Sequence, residues 1–142
     1  MVATQQCMVL DQNKELIFKA YEALNQGDIE NFGELLSEDF QEIAQNGDGR
    51  SKEECLNAFR DLRVMMPDVR FDIKEMIAEG DKVVVVENYS GTMTGKFRAQ
   101  EPTGRKMSVV AVDIYTIRDG KIAELQSIFD TASVVEQLGL GE

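Results

Sequence analysis

The chain has 142 residues, no histidine, and 26 acidic against 15 basic side chains, for a formal net charge of −11. One domain with one sizeable core suits this length, and 43% hydrophobic with 29% charged residues is ordinary for a globular protein. The acidic balance argues against nucleic acid and anionic membrane as partners, since both need basic patches; the missing histidine removes the commonest general base near neutral pH, the Ser-His and Cys-His pairs, and nearly all zinc and non-haem iron sites.

No apolar run approaches the ~18 residues of a membrane span. The start, "MVATQQCMVLDQNK", lacks the basic and apolar regions of a signal peptide, so a cytoplasmic location is expected. Cys7 and Cys55 are far apart and no CxxC occurs, which suits free thiols in a reducing compartment. Neither a metal nor an organic cofactor is expected.

Residues 1–10 read as a flexible tail, and residues 11–142 as a single domain. Asp11 is placed to cap a helix running to about Gln26, with Leu16, Ile17, Ala20, Tyr21 and Leu24 on its apolar face. Gly27 ends it, and Asp28 can cap a short helix over "IENFGELL". "EDFQEIAQ" predicts a short strand and "NGDG" a turn. Ser51 and Glu54 form a capping box opening a third helix, whose buried face is Cys55, Leu56, Phe59 and Leu62 and which Pro67 stops.

Beyond Pro67 the period becomes strand-like. "VRFDIKEMIAE", "KVVVVENYSGTMTG", "KMSVVAVDIYTI" and "IAELQSIFD" predict four strands, separated by turns at "GD", "PTGR" and "RDGK". "TASVVEQLGLGE" closes the chain as a short helix or ordered tail, with Asp130 as its cap. Helices first and strands after give an α+β class with a mostly antiparallel sheet.

Two motifs fail on inspection. "GTMTGK" has three residues between Gly91 and Gly95 where a phosphate loop needs four, Phe97 follows Lys96 in place of Ser or Thr, and no helix follows. "NGDGRSKEE" lacks the alternating acidic pattern of a calcium loop.

The segments "YEALNQGDIENFGELLSEDF", "MPDVRFDIKEMIAEGDKVVV", "GTMTGKF" followed by "PTGR", "VDIYTIRDGKIAE" and the closing "QLG" stand in an order that resembles the SnoaL-like polyketide cyclases of the nuclear transport factor 2-like superfamily, over about residues 12–139. The resemblance implies three helices packed on a strongly curved, mixed sheet that forms a cone with an internal apolar pocket. It also implies a homodimer paired through the sheet, and a cofactor-independent ring closure driven by a carboxylate and histidines. This chain departs from that pattern: Met93 and Leu125 stand where the cyclases carry histidines, and Ser127 where they place the catalytic aspartate.

Asp113 is the polar residue that remains most informative. It shares a strand face with Val109, Ala111 and Tyr115, so burial is expected to raise its pKa and fit it for acid/base or oxyanion work. Its "D-x-aromatic" setting resembles that of the ketosteroid isomerases, although "EIAQNG" offers no carboxylate near Ala44, where those enzymes carry a base. The alternative is a structural aspartate bonded to backbone or tyrosine. Tyr21, Phe59, Tyr89, Met93, Tyr115, Leu125, Ser127 and Phe129 are the expected pocket residues. Lys96, Arg98, Arg105 and Lys106 form a small basic cluster, either solvated or able to meet a ligand carboxylate. Three readings stay open: a cyclase or isomerase acting on a hydrophobic cyclic or polyketide-like carbonyl compound, a non-catalytic carrier of a small apolar ligand, and a dimeric interaction module whose centre is filled by Met93, Leu125 and Phe129.

Overall fold

The change of period at Pro67 divides the chain in space as it does in sequence. A computed structural model describes residues 2–141, and side chains from residue 5 to residue 141. It contains α1 (Val2–Gln26), α2 (Ile29–Glu34), β1 (Leu36–Ile43), β2 (Gly49–Ser51), α3 (Lys52–Met65), β3 (Arg70–Glu79), β4 (Lys82–Thr92), β5 (Lys106–Arg118), β6 (Lys121–Phe129) and α4 (Thr131–Leu138). The fold is α+β: an open, six-stranded mixed sheet with helices packed against it.

Local chemistry sets the helix ends. Gly27, at φ +76°, closes α1 in a left-handed conformation that a side chain would resist. Asp28 caps α2 by accepting from Asn31 N at 3.1 Å. The Ser51–Glu54 capping box opens α3, and Asp130 caps α4 through Ser133 N.

The sheet order is β2-β1-β6-β5-β4-β3. All pairings are antiparallel except β1 with β6. That one parallel contact follows from the long crossover through α3 and the hairpins β3–β4 and β5–β6. Register shifts between Leu36 and Gln41, Ile73 and Glu75, and Thr116 and Ile117 bend the strands. Successive rows cross the inner face: Leu125, Tyr115 and Val83; then Ser127, Asp113 and Val85; then Phe129, Ala111 and Glu87.

One buried cluster joins Ile17, Ala20, Tyr21 and Leu24 of α1 to Val83, Val85, Tyr115 and Leu125 of the sheet. A second gathers Met65, Met66, Met93, Met107 and Leu138 at the other end.

Several boundaries differ from the sequence-based expectation. α1 begins at Val2, so residues 2–10 continue the helix and Asp11 lies within it; the segment holds neither Gly nor Pro to stop it. Met1 and Glu142 lie outside the described residues. α2 ends at Glu34 and the chain enters β1 at Leu36. The turn at Asn46–Gly47 closes a hairpin, adding the short strand β2. β4 stops at Thr92, so Met93 falls in the loop beyond it.

That loop is tied at its base. Met93 N donates to Arg105 O at 2.9 Å, Gly104 N to Met93 O at 2.8 Å, and Gly95 N to Met65 O at 3.0 Å. A Cβ on Gly95 would collide with the carbonyl oxygen of Val64, so this glycine serves close backbone approach. The Gly95→Ala variant is expected to lose about 1–3 kcal/mol of stability, read as a lower urea midpoint; an unchanged midpoint would show that the loop does not press on α3.

Candidate active site

α1 and α3 hold the inner face of the sheet away from their own backbones, and a cavity of about 720 Å³ remains between them. That is within the ~300–1,000 Å³ range of small-molecule sites. A run of rings forms much of its wall: Phe59 meets Phe71 edge-on at 6.2 Å, Phe71 stacks on Tyr89 at 5.2 Å, and Tyr89 meets Phe129 edge-on at 5.5 Å. The cavity reaches solvent past exposed residues of two turns, Gln45 to Asp48 and Arg98.

Of the residues singled out from the sequence, Tyr21, Phe59, Tyr89, Asp113, Tyr115, Ser127 and Phe129 line the cavity; Met93 and Leu125 do not. Met93 lies past the end of β4, fully buried in the methionine-rich cluster, where Thr103 Oγ1 approaches its Sδ at 3.8 Å. Leu125 sits one row deeper than Ser127, in the first core cluster. In this chain Met93 and Leu125 are therefore structural core.

Four polar side chains meet at one end of the cavity. Tyr21 comes from α1, Glu87 from β4, and Asp113 and Tyr115 from β5. The Tyr21 hydroxyl lies 2.7 Å from Glu87 Oε1 and 2.6 Å from Asp113 Oδ2. The Tyr115 hydroxyl lies 3.0 Å from that of Tyr21 and 3.4 Å from Asp113 Oδ2. One hydroxyl carries one proton, so Tyr21 cannot donate to two carboxylates. A proton on Glu87 closes the count. Tyr21 then donates to Asp113, Tyr115 donates to Tyr21 or Asp113, and Glu87 donates within the cluster.

Burial supports the same assignment. Glu87 is 1% exposed, its Oε2 has no hydrogen-bond partner among the described residues, and desolvation first, then the hydrogen bond and charge of Asp113, push its pKa up to about 10. Both tyrosines are held far above their ordinary value, chiefly by burial, so they remain neutral donors.

Sequence reasoning named Asp113 as the carboxyl to be raised and passed over Glu87. The signal was present: Val83, Val85, Glu87 and Tyr89 alternate on one face of β4, which makes Glu87 a charged residue at a core position.

A second acid was also missed. Glu42, on the inner face of β1, is 6% exposed and lines the cavity two residues before Ala44. Arg50 Nη2 lies 2.7 Å from its Oε1, and Cys55 of α3 is a close neighbour. Desolvation raises the Glu42 pKa, while Arg50 and Cys55 pull it down and Asp113 adds a smaller upward push. Burial and the Glu42 charge raise the Cys55 thiol, so it is a poor nucleophile. Cys7 is free and exposed on α1. Lys96 of the expected basic cluster pairs with Glu101 at 3.1 Å, and Arg98 packs over the Phe97 ring at 5.0 Å.

The proton count has a thermodynamic consequence. Glu87 moves from 4.5 unfolded to about 10 folded, so the folded state holds the extra proton. Its contribution is complete below about pH 4.5 and is lost as pH rises towards 10, with a slope of at most about 1.4 kcal/mol per pH unit. Glu87→Gln, which keeps the shape without the titration, is expected to flatten that fall in urea unfolding measured from pH 5 to 10. Parallel profiles for the two proteins would remove the buried proton from Glu87.

The family model described as SnoaL-like polyketide cyclase matches residues 15–138. Among solved structures, AclR, a proposed hydroxylase from Streptomyces galilaeus, superposes with a TM-score of 0.84 at 22% identity, over 94% of this chain and 88% of that one. IdmH, a proposed polyketide cyclase from Streptomyces antibioticus, superposes with a TM-score of 0.80 at 28% identity, over 90% of this chain and 99% of that one. A protein of ketosteroid isomerase-like fold from Catenulispora acidiphila, in complex with trimethylamine, gives a TM-score of 0.76 at 20% identity, over 89% of this chain and 93% of that one. No curated protein matches the sequence. With the inner-face cavity in place and the family model spanning nearly the whole chain, this protein belongs to the SnoaL-like polyketide cyclase family.

Proposed function

We propose that the protein is a cofactor-independent cyclase or isomerase that moves a proton next to the carbonyl of a hydrophobic, cyclic or polyketide-like small molecule. The observation that carries this reading is the Tyr21–Glu87–Asp113–Tyr115 cluster at the end of an aromatic-walled cavity. Asp113 is the proton acceptor. The C–H bond beside the ligand carbonyl breaks, its proton passes to Asp113, and the electron pair moves onto the carbonyl oxygen as an enolate. Tyr21 and Tyr115 hold the Asp113 oxygen in place, and the Glu87 proton keeps the cluster from carrying two negative charges. The likeness to IdmH, a proposed cyclase, supports the same class.

The second reading is a carrier that binds a ligand without transforming it. Its motive is the placement of Met93 and Leu125 in the core, which leaves the cavity without the cyclases' usual residues. A module whose centre is filled by its own side chains is disfavoured by the volume of the cavity. We also infer a homodimer paired through the outer face of the sheet, where Val110 and Ile128 are exposed. Light scattering is expected to give twice the mass of one chain, and half that value for Val110→Lys; a wild-type monomer would end this inference.

The enzyme reading is tested with 2-tetralone, an enolisable two-ring ketone, by following deuterium uptake next to its carbonyl by NMR in heavy water. The protein is expected to accelerate uptake, and Asp113→Asn to lower the rate by about 100-fold or more. An equal rate in the variant would remove Asp113 from the chemistry. Tight binding with no acceleration would favour the carrier.

A further inference from the structure

The aromatic wall of the cavity carries a polar group that the protein leaves unmatched. The polar side chains that line the cavity and are more than nine-tenths buried are Tyr21, Glu42, Glu87, Tyr89, Asp113 and Tyr115. Tyr21, Glu87, Asp113 and Tyr115 bond to one another, and Glu42 pairs with Arg50. The Tyr89 hydroxyl has no hydrogen-bond partner among the described residues. It is not sealed either: the unpartnered side-chain atoms closed off inside the protein are Glu42 Oε1, Arg50 Nε and Glu87 Oε2. A buried phenol O–H that faces open space and meets no acceptor calls for one from the cavity side.

Packing fixes the ring and leaves its tip free. Tyr89 stacks on Phe71 of β3 and meets Phe129 of β6 edge-on, across β5 and beside Ala111, whose small side chain leaves room for both rings. Burial first, then the neighbouring Glu87, hold the phenol above its ordinary pKa, so it stays a neutral donor. Its placement sets a second constraint. Tyr89 pairs with Val109, four residues before Asp113 on β5. Four residues of strand span roughly 14 Å at the backbone, and the approach of the Tyr89 ring to Phe129 brings its tip nearer than that. Two polar stations so spaced, with aromatic rings beside the path between them, suit a flat molecule of two or three fused six-membered rings with oxygen at both ends.

We propose that the Tyr89 hydroxyl is a ligand-binding donor that holds a carbonyl oxygen of the substrate, so that the substrate class is a flat, fused-ring compound with one carbonyl at the Asp113 end of the cavity and another held by Tyr89. The proposal rests on the reading of this cavity as the ligand site. Tyr89 is a specificity residue in it: its ring serves the wall, and its hydroxyl selects for an acceptor at the far end of the molecule.

The test compares two probes of one shape. 2,6-Diacetylnaphthalene carries a carbonyl at each end, and 2,6-diisopropylnaphthalene replaces each carbonyl oxygen with a methyl group. The chain has no tryptophan, so naphthalene fluorescence reports the binding of each. Tyr89→Phe keeps the ring in the wall and removes only the hydroxyl. The variant is expected to weaken the diketone about tenfold and to leave the hydrocarbon within about twofold, which also reports an intact fold. Infrared spectra of the bound diketone are expected to show a carbonyl band shifted to lower frequency in the wild type, and Tyr89→Phe to abolish that shift. Unchanged diketone affinity, equal loss for both probes, or a shifted band that persists in the variant would overturn the donor. Wild-type protein that binds the hydrocarbon but not the diketone would overturn the donor and leave the cavity reading standing; binding of neither would overturn both.

Discussion

One short contact organises the interior: the Tyr21 hydroxyl, held between two carboxyl groups at 2.7 and 2.6 Å. It ties α1 to β4 and β5 across 66 and 92 residues of sequence. Its cost is high, since burying an isolated carboxylate is among the most unfavourable events in folding. A proton on Glu87 lowers that cost by removing one of the two charges, and the neutral phenols supply donors to the charge that remains. The cluster is therefore stable only as a unit. Loss of any member leaves a buried charge or an unmatched acceptor, with the penalty that buried polar networks carry when partly satisfied.

The cavity exists because that same cluster sits at its end. Carboxyl and phenol groups hydrogen-bonded to each other cannot also fill the space in front of them. The rings of Phe59, Phe71, Tyr89 and Phe129 brace one another edge to face and line the space without closing it. The bulged strands curve the sheet around this wall. The first core cluster and the methionine-rich cluster bury the apolar residues at the two ends of this cavity.

Much of this was legible in the sequence, and the gaps have physical causes. The strand period after Pro67 located β3 to β6, and alternation put Asp113, Tyr115, Ser127 and Phe129 on the inner face, where they are. Glu87 was hidden by "VVVV", four valines that suit either phase of a strand; Tyr89 and Gly91 set the phase that turns Glu87 inward. Glu42 was hidden because the first strand is short, although Phe40 two residues earlier marks its inner face. The start of α1 was misplaced because Asp11 is a competent cap, and a cap is only one of the forces that begin a helix. Met93 was assigned to a strand that ends one residue earlier, and no local signal marks that end.

This member of the SnoaL-like polyketide cyclase family has no histidine in its 142 residues. Met93 and Leu125 are packed into core, so a histidine at either would be a titratable ring buried among apolar neighbours. Proton chemistry in this chain therefore has to come from carboxyl and phenol groups. Alone, none of these titrates near neutral pH. Burial, then the hydrogen bond and charge of Asp113, push the Glu87 pKa up to about 10. Glu87 keeps its proton beside Asp113 because it is buried.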